Sequence, residues 1–296
     1  MTDQPIIDAH HHIWRLDAVP WLKGPQVPRI FGEYGALRRD YGIEEYLANC
    51  RAEGVVKSVF IQINVAPDAE VEEVVWAQSV AERHGFPHGI VGYADLAAPN
   101  LCEVLDRQGA CVNLRGIRQQ LHWHEKPAYR FAQSPTLMKG PGWLAGLAEL
   151  DRRKLSFDLQ VFTSQMADAA ELARAFPQTL FILQHAGMLK DRSPEGWQAW
   201  RTGMRQLAAC PNVVSKLSGL GTFEHVCSVE LWKPVVLETL DIFGATRCVF
   251  GSNWPIETLW TDYAAIIDTM RHCLVGLTKE ERAAVLHDNA LSVYRL

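Results

Sequence analysis

Three consecutive histidines near the start of the chain, His10-His11-His12, form the first candidate for chemistry. They follow a short apolar stretch and precede Ile13-Trp14, as expected where a first β-strand runs into a loop. Side chains alternate along a strand, so His10 and His12 should face one way and His11 the other. Two imidazoles presented together can bind a metal ion or transfer protons. A polar surface segment is the plainer interpretation, whereas the apolar neighbours argue against a purification tag.

Several other polar side chains end or interrupt apolar segments farther along the chain. His185 closes one long apolar run, and Lys216 lies inside another, where an amine needs a partner or a ligand. Arg118 has the planar guanidinium that holds a carboxylate through two parallel hydrogen bonds, although a structural ion pair would use it equally well. The same polar set includes Gln62, His122, His124, Asp158 and Asn253.

Short segments rich in β-branched residues alternate with segments of helical composition along the whole chain. Such alternation predicts a parallel sheet, and about eight units in a chain of 296 residues favour a closed (β/α)8 TIM barrel over an open doubly wound sheet. We therefore expect a single α/β domain over residues 1–296, with an extra C-terminal helix that begins at the capping box Thr278–Glu281. The predicted strands are Ile6–His10, Ser58–Gln62, Gly89–Tyr93, Val112–Ile117, Leu155–Val161, Thr179–His185, Val213–Leu217 and Arg247–Gly251.

A barrel of this kind would bring the polar set together. Catalytic groups of TIM barrels lie at the carboxyl ends of the strands, where most of these side chains fall. The two longest irregular segments, Trp21–Gly42 and Leu121–Pro141, follow strands one and four and would serve as lids, substrate walls or plain covers. Trp14 and other tryptophans near this end suit stacking on a sugar or a planar ring, or packing within a lid.

The composition narrows the class of protein. Hydrophobic residues make up 48% of the chain and charged residues 21%, as in a globular domain, and the net charge of −5 argues against a nucleic-acid partner. The seven cysteines include no Cys-x-x-Cys pair and suit reduced thiols in a cytoplasmic protein. We find no leader and no long apolar run, so we expect no membrane partner. The expected partner is a small-molecule substrate, and no residue pattern indicates the oligomeric state.

Taken together, six motifs in this order resemble the amidohydrolase superfamily. The resemblance is to its branch of predicted metal-dependent TIM-barrel hydrolases, the amidohydrolase-2 branch, which includes sugar-acid lactonases and 2-pyrone-4,6-dicarboxylate lactonases. It spans essentially the whole chain. The motifs are Asp8–Trp14, Leu114–Gln119, Gln184–Gly187, Lys216–Leu220, Phe250–Pro255 and Asp288–Leu296.

The resemblance implies roles for individual residues. His10 and His12 match a strand-one pair that binds a divalent metal or hydrogen-bonds the substrate carbonyl, and His185 matches a strand-six histidine. Arg118 matches a strand-four position where relatives can meet an acidic substrate. Asn253 occupies the position of an aspartate that activates the attacking water in the family. A neutral amide cannot act as a base and offers only a weak oxygen ligand.

This set of residues leaves metal binding open. His10, His12 and His185 could hold one divalent cation, zinc or manganese, with water at an open position. Strand five lacks the histidine that many metal-bearing relatives have, and Asn253 supplies no negative charge. The resemblance also includes lactonases that work without metal, so a reaction with no cofactor is the alternative.

The expected reaction is the attack of water on the ester carbonyl of a small sugar-acid or carboxylated lactone. His185 is the first candidate for the base, Asp158 the second and Glu257 the third. His10, His12 and Lys216 would stabilise the oxyanion, and a bound metal would polarise the carbonyl instead. The catalytic set is His185, Lys216, Asn253 and Asp158, and the residues expected to contact substrate are Gln62, Arg118, His122, His124 and Trp14.

Two other functions fit the same residues. A metal-dependent non-oxidative decarboxylase could use Arg118 as a carboxylate clamp, although it would need a firmly held metal. Alternatively, a barrel that has lost its catalytic base would only bind a ligand, and Asn253 is the residue that favours this interpretation.

Overall fold

The computed structural model describes residues 4–296 and confirms the predicted (β/α)8 barrel. Its strands are all parallel, and each pairs with the next along the chain in the order β1 to β8. The strands are β1 (Ile6–His11), β2 (Val55–Ile61), β3 (Gly89–Gly92), β4 (Leu114–Ile117), β5 (Ser156–Leu159), β6 (Phe181–Leu183), β7 (Val213–Leu217) and β8 (Cys248–Phe250).

Helices surround the barrel and follow the strands, as the alternating sequence pattern predicts. They are α1 (Pro20–Lys23), α2 (Ile43–Cys50), α3 (Glu70–His84), α4 (Leu101–Gly109), α5 (Pro141–Arg152), α6 (Met166–Ala175), α7 (Pro194–Ala208), α8 (Val229–Phe243), α9 (Tyr263–Cys273), α10 (Lys279–Ala283) and α11 (Asn289–Tyr294). The capping box is confirmed, because the Thr278 hydroxyl accepts the Glu281 N–H and the Glu281 carboxylate accepts the Thr278 N–H. Among residues 4–296, no helix is both long and apolar enough to cross a membrane.

The C-terminal helix closes the amino end of the barrel. Ala290 and Tyr294 pack against small and β-branched side chains inside the barrel, among them Ile7 and Val59. A second, larger core lies between the strands and the surrounding helices. The amino end of the barrel is therefore packed, and the functional groups of such barrels lie at the opposite, carboxyl end of the strands.

The segment that follows β8 is hydrogen-bonded to β1 and so closes the barrel. The His12 N–H donates to the Trp254 carbonyl at 2.7 Å, and the Asn253 N–H donates to the His10 carbonyl at 2.8 Å. The fully buried Asp8 carboxylate reinforces this join, because it accepts hydrogen bonds from the Ser252 N–H at 2.8 Å and the Ser252 hydroxyl at 2.6 Å. The β1 histidines and Asn253 are therefore held side by side.

Strand β6 is shorter than the predicted Thr179–His185. It ends at Leu183, and residues 184–187 form a tight turn in which His185 has φ 53° and Ala186 has φ 48°. Non-glycine residues in this left-handed region are strained by about 1–3 kcal/mol each and cluster at functional sites. His185 thus lies in a strained turn just past the strand. The other strand boundaries differ from the predicted ones by a few residues at most.

Candidate active site

Three imidazoles meet at the carboxyl end of the barrel. The ring centroid of His10 lies 5.0 Å from that of His12 and 4.9 Å from that of His185. The predicted alternation is confirmed, since His11 points the other way, stacks on Tyr46 at 3.9 Å and bonds to a serine hydroxyl. Strands β1 and β6 therefore deliver one group of three histidines to the barrel mouth.

Hydrogen bonds fix the orientation of two of these rings. His12 Nδ1 lies 2.7 Å from the Ile61 carbonyl, and because a carbonyl only accepts, Nδ1 carries the proton and Nε2 is left as an acceptor. His185 Nδ1 lies 2.9 Å from the Ser218 hydroxyl, which leaves its Nε2 for a ligand. Both ring nitrogens of His10 are buried and have no hydrogen-bond partner among residues 4–296. Because buried polar groups are nearly always hydrogen-bonded, this ring is free to pair with a ligand or a water molecule.

All three rings are neutral at pH 7. Burial lowers the pKa of His10 and of His12 well below the usual value, and nearby cations, Lys216 and Arg118 among them, lower it further. Burial, and then the charges of Arg118 and Lys216, lower the pKa of His185 to about 3. The imidazoles therefore act here as hydrogen-bond donors and acceptors rather than as cations.

Arg118 brings an incompletely paired cation to the mouth from the end of β4. Its guanidinium donates to the Gln62 carbonyl at 2.6 Å, and the Gln62 amide reaches back to the Arg118 carbonyl at 3.4 Å. Its Nε is buried without a partner in the described chain. Burial lowers the pKa of Arg118 to about 10, so it remains charged at pH 7. Gln62 and Arg118, two of the predicted substrate contacts, therefore lie beside each other.

Lys216 and Asp158 form a buried ion pair beneath the histidines. Lys216 Nζ lies 3.0 Å from Asp158 Oδ2, and both side chains are 0% exposed. Gln184 also donates to this carboxylate oxygen at 2.8 Å, and the Tyr294 hydroxyl lies 3.4 Å from it. The prediction that a buried amine needs a partner is confirmed. Because Asp158 is committed to these donors, its placement gives no support to its role as the base.

Asn253 and Glu257 form a second buried pair. Asn253 has φ 58°, and its Nδ2 donates to Glu257 Oε1 at 3.0 Å. Trp260 Nε1 donates to the other oxygen, Oε2, at 2.8 Å. Burial raises the pKa of Glu257 to about 8, so the carboxyl is mainly protonated at pH 7 and is not a ready base.

The two long irregular segments meet over the mouth. His122 is buried between Phe131 and Phe162, at centroid distances of 5.7 and 5.6 Å, and its pKa is lowered to about 3, first by burial and then by Arg118 and Arg29. The Arg29 guanidinium lies 5.0 Å from the Trp21 ring and 5.9 Å from the Phe131 ring, which ties one segment to the other. The sequence analysis missed Arg29, since one arginine in an irregular segment carries no pattern.

Two predicted substrate contacts lie farther from the histidines. His124 is half-buried on Tyr129 and Phe162, and its Nδ1 accepts the Lys126 N–H at 2.9 Å. Trp14 is 2% exposed, and its indole N–H donates to the Arg39 carbonyl at 2.6 Å. This placement makes Trp14 part of the core and gives no support to a contact with substrate.

The ligands that the mouth offers to a metal ion are imidazoles and one amide. His10 offers unpaired nitrogens and His12 a free Nε2, but Asn253 contributes an amide in place of a carboxylate. Within residues 4–296, no group of three or more His, Cys, Asp or Glu side chains is arranged to hold a metal ion. The metal set His10, His12 and His185 therefore stays a prediction.

A closed eight-stranded barrel with histidines, a lysine and an amide at one mouth defines a TIM-barrel enzyme. The chain belongs to the amidohydrolase family, whose model matches residues 7–296. This confirms the resemblance drawn from the six motifs. The chain is also 41% identical to the protein y4mH of Sinorhizobium fredii, with 100% of both chains covered.

Two further relatives carry information about chemistry. The chain is 29% identical to an L-fucono-1,5-lactonase of Burkholderia multivorans, over 98% of this chain and 96% of the relative. It also resembles the crystal structure of an amidohydrolase from Burkholderia multivorans with bound HEPES, at 27% identity, a TM-score of 0.83 and 99% coverage of each chain. A second crystal form of that amidohydrolase contains zinc and has a TM-score of 0.82, at 27% identity and with 99% of each chain covered.

Proposed function

We propose that this amidohydrolase is a lactonase that opens a small lactone carrying a carboxylate, by attack of water on the ester carbonyl. Membership of the family and the similarity to L-fucono-1,5-lactonase support a hydrolase that acts on a cyclic ester. The observation that carries the proposal is the mouth itself, where the buried Arg118 cation stands beside three neutral imidazoles. Buried cations of this kind are stabilised by an anionic partner, and the substrate would provide it.

Arg118 would bind the carboxylate of the substrate. Its hydrogen bond to Gln62 holds the guanidinium in place, and the unpaired Nε is free to donate. The other buried cation, Lys216, is already paired with Asp158. The mouth therefore offers one position for an anionic group, next to the histidines that would meet the ester.

His185 is the proposed base. In the tautomer in which Nδ1–H donates to Ser218, Nε2 carries no proton and would take the proton of the attacking water. In the free protein the cation Arg118 helps to keep the pKa of His185 at about 3. A carboxylate bound to Arg118 offsets that charge and raises the basicity of His185. Lactones are reactive esters, so a modest base is sufficient.

The developing oxyanion needs donors, and two residues can supply them. Lys216 uses one N–H on Asp158 and keeps two more, and either tautomer of His10 has one N–H to donate. His12 was also expected to donate, but in its observed orientation its Nε2 is an acceptor. His12 is therefore better suited to hold the attacking water than to stabilise the oxyanion.

The test compares lactones with and without a carboxylate, using Arg118→Met and the matched control Arg115→Met. Arg115 lies within β4, which Arg118 directly follows, and its guanidinium donates to carbonyls of its own segment. We expect Arg118→Met to raise KM for the carboxylated lactone by about 10- to 100-fold, the loss of one charge-assisted interaction, while Arg115→Met changes it little. Equal effects of the two variants would contradict the assigned role of Arg118.

The same assay separates the alternatives. We expect His185→Asn to lower kcat by about 100-fold or more, as for loss of a general base. Release of carbon dioxide from carboxylated aromatic compounds, with no ring opening of lactones, would favour the decarboxylase. Binding of lactones without any turnover would favour a barrel that only binds its ligand.

A further inference from the structure

The peptide group between Gln62 and Ile63, just past the end of β2, is hydrogen-bonded at both of its ends. Its carbonyl, on Gln62, accepts from the Arg118 guanidinium at 2.6 Å. Its N–H, on Ile63, donates to Glu73 Oε1 at 2.8 Å. A trans peptide group is planar, and its C=O and N–H bonds point in opposite directions. Glu73 and Arg118 therefore hold one rigid unit from its two sides.

Neither of these hydrogen bonds can be reversed. A backbone N–H and a guanidinium can only donate, so the Glu73 oxygen and the Gln62 carbonyl must accept. Burial raises the pKa of Glu73 to about 7, while the Ile63 N–H and the charge of Arg118 act to lower it. The contact does not depend on this charge, because the carbonyl oxygen of a neutral carboxyl also accepts. Glu73 therefore fixes the direction of the peptide group whether or not it is ionised.

The Glu73 side chain is itself held in place. It lies in the first turn of α3 and is 5% exposed. Its backbone N–H donates to the Ala69 carbonyl at 3.0 Å, which fixes the start of the side chain. Its other oxygen, Oε2, is buried and has no partner among residues 4–296. Buried polar atoms without a partner are rare, and the contact of Oε1 with Ile63 accounts for a carboxyl at this position.

The carbonyls on either side of this peptide group are also bonded to side chains. The Ile61 carbonyl lies 2.7 Å from His12 Nδ1, and the Ile63 carbonyl accepts from the Trp21 indole N–H at 2.9 Å. The three successive carbonyls of residues 61–63 thus hold an imidazole, a guanidinium and an indole. An error in the middle peptide group would act first on the guanidinium, because that group bonds to the middle carbonyl.

We propose that Glu73 is a positioning residue for Arg118, which holds the Gln62–Ile63 peptide group so that its carbonyl keeps the guanidinium in place for the substrate carboxylate. This role rests on the proposed lactonase function. Without an acceptor for the Ile63 N–H, the peptide group would turn toward another partner, and Arg118 would lose its acceptor at 2.6 Å. Binding of a carboxylated lactone would weaken, whereas a neutral lactone, which makes no ion pair with Arg118, would bind as before.

The test compares Glu73→Met with Glu73→Gln at pH 6, where the wild-type carboxyl is mainly protonated and Gln is its neutral isostere. The Gln oxygen can accept the Ile63 N–H, and Met cannot. We expect Glu73→Met to raise KM for a carboxylated lactone by about 5- to 20-fold, and Glu73→Gln to stay within about twofold of the wild type. Neither variant should change KM for a neutral lactone. The matched control is Glu72→Met, since Glu72 pairs with Arg107 on the surface and should leave both values unchanged.

Glu73→Asp is the second variant, and it covers the case in which Glu73→Met does not fold. It keeps a carboxyl but withdraws it by one methylene from the Ile63 N–H, so KM for the carboxylated lactone should rise by a smaller factor. An equal rise of KM for both lactones would overturn the inference, because the effect would then be a general disturbance of the fold. Wild-type KM in Glu73→Met or Glu73→Asp, or a Glu73→Gln protein as impaired as Glu73→Met, would overturn it and leave the lactonase proposal intact. A wild-type protein that hydrolyses no lactone would overturn both proposals.

Discussion

The buried pair Lys216–Asp158 gives a sharp prediction about stability. Asp158→Asn keeps the shape of the side chain but leaves the Lys216 ammonium with no carboxylate in a site that is 0% exposed. Breaking a fully buried pair from one side costs about 3–5 kcal/mol, because the remaining charge is uncompensated. Solvent does not screen this pair, so we expect the full effect.

The matched control is the double variant Asp158→Asn with Lys216→Met, which removes both charges and keeps the volume of the lysine stem. We expect the double variant to recover most of the stability that Asp158→Asn loses, because no unpaired charge is left. Urea unfolding followed by circular dichroism measures the midpoints of all three proteins. A double variant as unstable as Asp158→Asn would refute this reasoning, since the hydrogen bonds of Asp158 to Gln184 and Tyr294 would then matter more than the charge.

Three further predictions follow from the same site. Wild-type protein purified without chelator should contain less than one zinc per chain, measured by mass spectrometry, because no three ligand side chains within residues 4–296 are arranged to hold a cation. Asn253→Asp adds an anionic ligand beside His10 and His12 and should bind zinc at least about tenfold more tightly by titration calorimetry, and equal affinity would contradict this. Burial raises the pKa of Glu257 from 4.5 to about 8, so the folded state keeps a proton that the unfolded chain releases, and stability should fall as pH rises through this range. Glu257→Gln should abolish the loss of stability that Glu257 causes between these pH values, and thermal melts at pH 5 and pH 8.5 would measure it.

Much of the architecture could be predicted because it depends on the order of elements along the chain. Alternation of strands and helices predicted the barrel, and alternation along β1 predicted that His10 and His12 share a face, which the structure confirms. The need of Lys216 for a partner also followed from its apolar segment. The identity of this partner, Asp158, could not be predicted, because β5 and β7 are not neighbours in the sheet and only closure of the barrel brings them together.

Local backbone conformation explains most of what could not be predicted. His185 lies in a left-handed turn rather than on a strand, and histidine in such a turn has no sequence signal beyond the glycine that follows. Trp14 lies near the candidate site residues in the sequence, yet its indole N–H donates to the Arg39 carbonyl in the core. The contact of Arg29 with Trp21 and Phe131 joins two irregular segments whose paths no periodic pattern describes.

The charges of the mouth connect the choice of substrate to the strength of the base. After burial, the charge of Arg118 lowers the pKa of His185 most and Lys216 adds to it, whereas Glu257 is mainly protonated at pH 7, so the field on His185 is positive. A neutral lactone would leave that field in place and His185 would stay a weak base. A carboxylated lactone would cancel it as it binds, so the substrate would itself raise the pKa of the group that activates the water. The carboxylate should therefore increase kcat as well as lower KM, an effect that a simple binding contact would not produce.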